Sequence, residues 1–248
     1  MDRKRRLLFC GIIFIIAGLP VLLRAQFNDS LHYYTGITST GTYNQTNSNL
    51  TFLLNNVLRL GVRRKHFSFN SAQKYLYGRQ GEKIVNADFT SVWDFNLYPR
   101  QTRIYYWGLL TYNTIYSLRI NNQLQTGLGL AIDLIDGKKI QFNISDGLIY
   151  DFNDVQLRDT VRDVYQTYRN SFRMQYKMNL GNLILRATGF IQNSFEYRKD
   201  FIIKTDFTLA YRVRKWLSFT MQSSYNKMNR TNRETLFITY GLTFERYF

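Results

Sequence analysis

From Leu236 to Glu245 the chain alternates without a break. Leu236, Ile238, Tyr240, Leu242 and Phe244 take every second position, between Phe237, Thr239, Gly241, Thr243 and Glu245. A period of two puts each set on its own face of a β-strand. In Phe201–Val213, the residues Phe201, Ile203, Phe207, Leu209, Tyr211 and Val213 oppose Lys204, Asp206, Thr208 and Arg212. In Gln166–Met178, Tyr168, Phe172, Met174, Tyr176 and Met178 oppose Arg169, Ser171, Arg173, Gln175 and Lys177. Alternating segments bounded by turn residues recur along the chain and predict twelve strands. They are Leu31–Tyr43, Asn49–Val62, Phe67–Tyr77, Val85–Leu97, Ile104–Leu118, Leu124–Leu134, Lys139–Asp151, Gln166–Met178, Leu183–Glu196, Phe201–Val213, Leu217–Asn226 and Thr235–Phe248. The third is diluted by Asn70-Ser71-Ala72-Gln73, and Asp146-Gly147 interrupts the seventh, where a bulge is expected.

Strands of about 10–14 residues exceed the soluble average of about 5–6 and suit tilted strands that cross a bilayer and project beyond it. Periodicity alone does not say which face is inside, because a soluble barrel would turn its apolar face inward. Strand length, a leader and the C-terminus decide for the membrane. The ending resembles the C-terminal assembly signature of bacterial outer-membrane barrels, carried by Tyr240, Leu242, Phe244 and the last residue, Phe248; Arg246 departs from it. At the N-terminus, Arg3, Lys4, Arg5 and Arg6 precede an apolar run from Leu7 to Leu23, and Ala25 followed by Gln26 offers a cleavage point. The expected organisation is a signal peptide over 1–25 and, over 26–248, an all-β, antiparallel up-and-down transmembrane β-barrel of about twelve strands. Short links at 63–66, 98–103, 135–138, 179–182 and 214–216 would be periplasmic turns, and the longest link, 152–165, an outer loop. Trp107, Trp216 and Tyr247, with Phe248, fall near the periplasmic ends, where an interfacial aromatic belt is expected.

Charge and composition narrow the chemistry. The whole chain has 33 Lys+Arg against 17 Asp+Glu; cleavage after Ala25 removes five bases and one acid, leaving a formal charge of +12. Export and the absence of a recognition helix, zinc spacing or phosphate loop argue against nucleic acid as the partner of this basic chain. Cys10 leaves with the leader, so the mature chain forms no disulfide and has no thiol site. Pro99 is its single proline, as expected where nearly every N–H belongs to a ladder. Only His32 and His66 could serve a nucleophile as base; His32 is expected to begin the first strand and His66 to sit in a periplasmic turn, each in a structural role. No cofactor, metal or enzymatic site is expected. Gly127 and Gly129 form a GxG without a following helix, which points to close packing. The acids Asp88, Asp94, Asp133, Asp206, Glu196 and Glu245 are expected to face inward beside bases that include Arg59. Arg169, Arg173, Lys177, Arg186, Lys204 and Arg212 are expected to form a basic stripe along the lumen on adjacent strands.

Thr35–Phe52 (TGITSTGTYNQTNSNLTF), Tyr105–Leu118 followed by RINNQLQTGLGLAIDL, and KWLSF at Lys215–Phe219 resemble the YdiY-like, salt-induced outer-membrane protein family. The likeness covers most of 31–248 through glycine and aromatic placements, without a catalytic signature. It implies an exported outer-membrane β protein and assigns no substrate. Expected partners are outer-membrane lipids, the barrel-assembly machinery during biogenesis, and small anions if the lumen conducts. Two function classes follow: a narrow passive pore with anion preference by the charge-ring logic of channels, or a non-conducting barrel that contacts envelope lipids or proteins.

Overall fold

The computed structural model describes residues 32–46, 49–99, 103–158 and 161–248. The expected signal peptide, 1–25, lies outside them. Twelve strands follow in order: β1 (Tyr33–Thr46), β2 (Asn49–Arg63), β3 (Phe67–Gln80), β4 (Lys83–Leu97), β5 (Ile104–Ile115), β6 (Ile120–Asp136), β7 (Ile140–Arg158), β8 (Val161–Leu180), β9 (Leu183–Ser194), β10 (Phe201–Arg214), β11 (Leu217–Met228) and β12 (Arg233–Tyr247). A 3-10 turn, Tyr116–Leu118, joins β5 to β6. Each strand pairs antiparallel with its chain neighbours, and β12 closes on β1 with Ile37 opposite Phe244. The result is a closed up-and-down barrel, which leaves no unpaired sheet edge.

Alternation sets the wall. On β7, Leu148 is 46% exposed while its neighbour Ile149 is fully buried, so successive side chains point outward and inward. On β10 the exposed Phe207 flanks Thr208, which lines the interior. The outer surface carries a belt of exposed apolar residues that includes Ile37, Leu58, Leu60, Trp93, Leu128, Leu130, Met174, Phe219 and Leu242. The inner face is rich in buried Thr, Ser, Asn and Gln. Water cannot drive such an inversion, since the apolar face would then be the one hidden; a hydrocarbon surround requires it.

Several sequence expectations change. Asp146 and Gly147 pair regularly with Leu130 and Gly129, without the expected bulge; on this sheet β6–β7 shifts register at Ile120/Asn122 and Asp133/Ile135 instead. The expected loop 152–165 is mostly strand, because β7 and β8 continue as a 19- and 20-residue hairpin. A strand needs about 9–11 residues to span a bilayer, so this hairpin stands well clear of the outer surface. The tight β8–β9 turn at the other end uses left-handed backbone at Gly181, with φ of 61°.

Candidate functional site: the barrel lumen

Three layers fill the interior. At the end where β1 begins and β12 ends, expected to be periplasmic, Tyr105, Trp107, Ala131 and Ile149 cluster on the inner wall of β5 to β7, with Tyr98 and Leu109 packed against them. Tyr34 and Tyr247 meet at 4.8 Å between ring centroids where β1 joins β12. Trp107 and Tyr247 therefore face the lumen, and the expectation of a lipid-interface role fails for both. Their odd-numbered positions share the inward face of β5 and β12, a phase that proximity to a strand end does not reveal. Trp107 is held flat against the wall because Gly129 and Gly147 leave room for its ring, and its Nε1 donates to the Leu130 carbonyl at 3.2 Å. Trp216 sits in the β10–β11 turn and stacks on Phe244 at 6.0 Å. Tyr240, Leu242 and Phe248 are exposed on the outer face, and Phe248 stacks on Tyr33 at 5.8 Å.

The middle layer is a chamber of about 380 Å³. Arg59, Lys74, Arg186 and Lys204 line it, with Asp206 the single acid among its lining residues. Around them stand Asn55, Gln125, Gln192, Gln222 and a set of threonines. Arg59 donates to Thr38 Oγ1 at 3.2 Å, and Asp206 accepts from Ser224 at 2.8 Å. Among the described residues, Lys74, Arg186 and Lys204 form no ion pair within 4.0 Å.

The outer layer lies at the mouth. Ile115, Leu118, Ile120, Val155, Tyr165, Ile202 and Met228 converge from both sides of the barrel into an apolar cluster. The 3-10 turn folds inward to deliver Leu118, and Ser117 fixes it by donating its backbone N–H and hydroxyl to Asp88 at 3.0 and 2.6 Å. Directly beside this cluster Arg169, fully buried, binds Asp151 through Nε and Asp200 through Nη2 at 2.7 Å, and donates to the Tyr165 hydroxyl at 3.2 Å. Asp200 belongs to the β9–β10 loop, so this pair pins that loop into the mouth. Arg230 lies over the Tyr165 and Tyr197 rings at 3.8 and 4.6 Å and binds Asp163 at 2.7 Å. Farther out, Arg162 donates to Asp154 at 2.8 and 2.7 Å, which holds that carboxyl below the usual carboxylate range.

All six residues of the expected stripe point inward, but they do not form one array. Arg169 is neutralised in the mouth. Arg173 binds Asp94 at 3.2 Å and packs over Trp107 at 5.7 Å. Arg212 meets Glu245 at 3.4 Å near the periplasmic rim, where Lys177 lies within electrostatic reach of Arg186 and Arg212. Arg186 and Lys204 alone of the six line the chamber. Their companions Arg59 and Lys74 come from β2 and β3, across the barrel. Lys74 went unnoticed because the polar run beside it blurs the third strand, although its even-numbered phase with Ser68, Ala72 and Leu76 marks the inner face. Among the acids, Glu196 corrects the expectation: it lies past β9 in an exposed loop. His32 and His66 serve backbone contacts at the periplasmic rim, His32 N–H donating to the Phe248 carbonyl at 3.2 Å and the His66 carbonyl accepting from Tyr98 N–H at 2.8 Å. Gly127 and Gly129 are close-approach positions on the inner wall.

No family model and no curated protein matches the chain. Among solved structures, the translocator domain of the autotransporter NalP from Neisseria meningitidis is 10% identical over 98% of this chain and 94% of its own, with a TM-score of 0.49. An outer-membrane channel from Pseudomonas putida F1 is 12% identical over 90% and 97%, with a TM-score of 0.49. The NanC porin is 11% identical over 87% of this chain and 99% of its own, with a TM-score of 0.51. That likeness concerns the fold, and together with the apolar outer belt it makes this chain a closed twelve-strand β-barrel of the outer-membrane type.

Proposed function

We propose that the protein is a narrow passive conduit for small anions in the outer membrane of a Gram-negative bacterium, and a member of the YdiY-like family. The observation that carries this reading is the chamber, where four cationic side chains accompany a single carboxylate. Charge rings of one sign concentrate counter-ions in a low-dielectric passage. Residues 1–25 would be removed on export, and Tyr240, Leu242, Phe244 and Phe248 would engage the assembly machinery. The periplasmic rim and outer belt would contact lipid. In a planar bilayer, refolded mature protein is expected to give anion-selective steps. Selectivity should weaken between 0.1 and 1 M salt, as the Debye length shortens from about 10 Å to about 3 Å. A bilayer that stays sealed would overturn the conduit. It would favour the second reading, a non-conducting structural or interaction barrel, whose supporting observation is the apolar cluster across the mouth.

A further inference from the structure

The chamber wall mixes aliphatic and cationic side chains. On β2 to β4, Val57, Ala72, Leu76 and Val92 present aliphatic side chains to the chamber, with Arg59 and Lys74 interleaved among them on β2 and β3. Across the barrel, β9 to β11 present Thr188, Thr208, Gln222 and Ser224 with Arg186 and Lys204. Phe190 and Phe237 flank this polar wall, one on β9 and one on β12. A conduit for hydrated inorganic ions gains nothing from an aliphatic wall, which lowers the solvation of the ion it faces. Such side chains are favourable for a solute with apolar surface to bury, and the four cations around them are favourable only if that solute also bears negative charge. The volume, about 380 Å³, lies at the small end of the range for small-molecule pockets.

We infer that the chamber binds a compact organic carboxylate with an apolar body, of the size of a monoaromatic acid, whose carboxylate pairs with the cations of the lining and whose ring lies against Val57, Leu76 and Val92. The inference rests on the conduit reading for its route of entry and names the class of solute within it. Asp206, bonded to Ser224, lies two residues from Lys204 on β10 and opposite Thr188 on β9, and it disfavours solutes carrying more than one negative charge close together.

Isothermal titration calorimetry of the refolded full mature barrel in detergent tests this with benzoate as probe, and acetate and benzyl alcohol as controls. Benzoate should bind at least tenfold more tightly than either control, because acetate lacks the apolar body and benzyl alcohol lacks the charge. Lys204→Met should weaken benzoate tenfold or more. Val92→Thr, which nearly keeps the volume, should weaken benzoate several-fold while leaving acetate unchanged. Heat-modifiable gel migration reports whether each variant has folded, and the three-probe comparison on the unaltered protein stands whether or not they do. Equal affinity for benzoate and acetate, or no binding of benzoate, would overturn the inference; anion-selective steps in the bilayer would then leave the conduit standing. Tight benzoate binding beside a sealed bilayer would support the inference and remove the conduit.

Discussion

Arg169 is the largest side chain with no exposed surface among the described residues, and it holds two carboxylates at once. Desolvating three charged groups is costly, so their mutual attraction does not make the mouth stable in itself; removing one partner, however, leaves charge buried without compensation. Asp151→Asn should therefore cost about 3–5 kcal/mol in urea unfolding from lipid vesicles. Asp154→Asn should cost less than about 1 kcal/mol, because its partner Arg162 is 64% exposed and screened by water. Equal losses would show that the Arg169 network is no more dependent on its carboxylates than a surface pair. A second residue-scale device is Gly147, where a Cβ would collide with the Trp107 ring and the Leu128 carbonyl. Gly147→Val should displace Trp107 from the wall, read as a shift in its fluorescence, and lower the unfolding midpoint. Unchanged emission would mean that the ring does not depend on the glycine.

At the scale of the strand, β10 offers the cleanest test of facing, since adjacent positions meet lipid and lumen. Phe207→Arg or Leu209→Arg should impair insertion by about 2–4 kcal/mol, the cost of a basic group on the lipid face near the bilayer midplane. Thr208→Arg should be milder. Folding yield into vesicles measures both, and a worse loss at Thr208 would invert the assigned faces. Strands such as β10 and β12 were legible from sequence because a bilayer imposes one apolar face along their length. The hairpin of β7 and β8 was not, since beyond the bilayer nothing keeps the outer face apolar; Asp154, Asp163 and Arg162 then look like loop residues although the ladder continues through them. Inward phase was legible for all six residues of the basic stripe, whereas partnership was not. Asp200 reaches Arg169 from a loop, and Arg59 and Lys74 reach the chamber from strands distant in sequence, so no local pattern records either contact.

For the whole molecule, the relevant quantity is the field inside the chamber. Arg186→Gln with Lys204→Gln removes two of its four cations while keeping polar side chains at both positions. The reversal potential under a salt gradient should move toward cation selectivity, with heat-modifiable migration retained. Unchanged selectivity would locate the selecting charges elsewhere in the passage.

The seam between β1 and β12 carries a different consequence. Every other ladder joins strands that follow one another, so each closes a short loop of chain. At the seam, the Thr38 and Thr243 hydroxyls stand 2.9 Å apart across 205 residues of sequence. Loop-closure entropy and contact order both place such a pairing late. Hairpins are thus expected to form first and the cylinder to close last, which leaves two raw strand edges on the nearly finished sheet. The interval before they meet is when this protein is most exposed to aggregation, and its length is set by the search of two distant chain segments for each other.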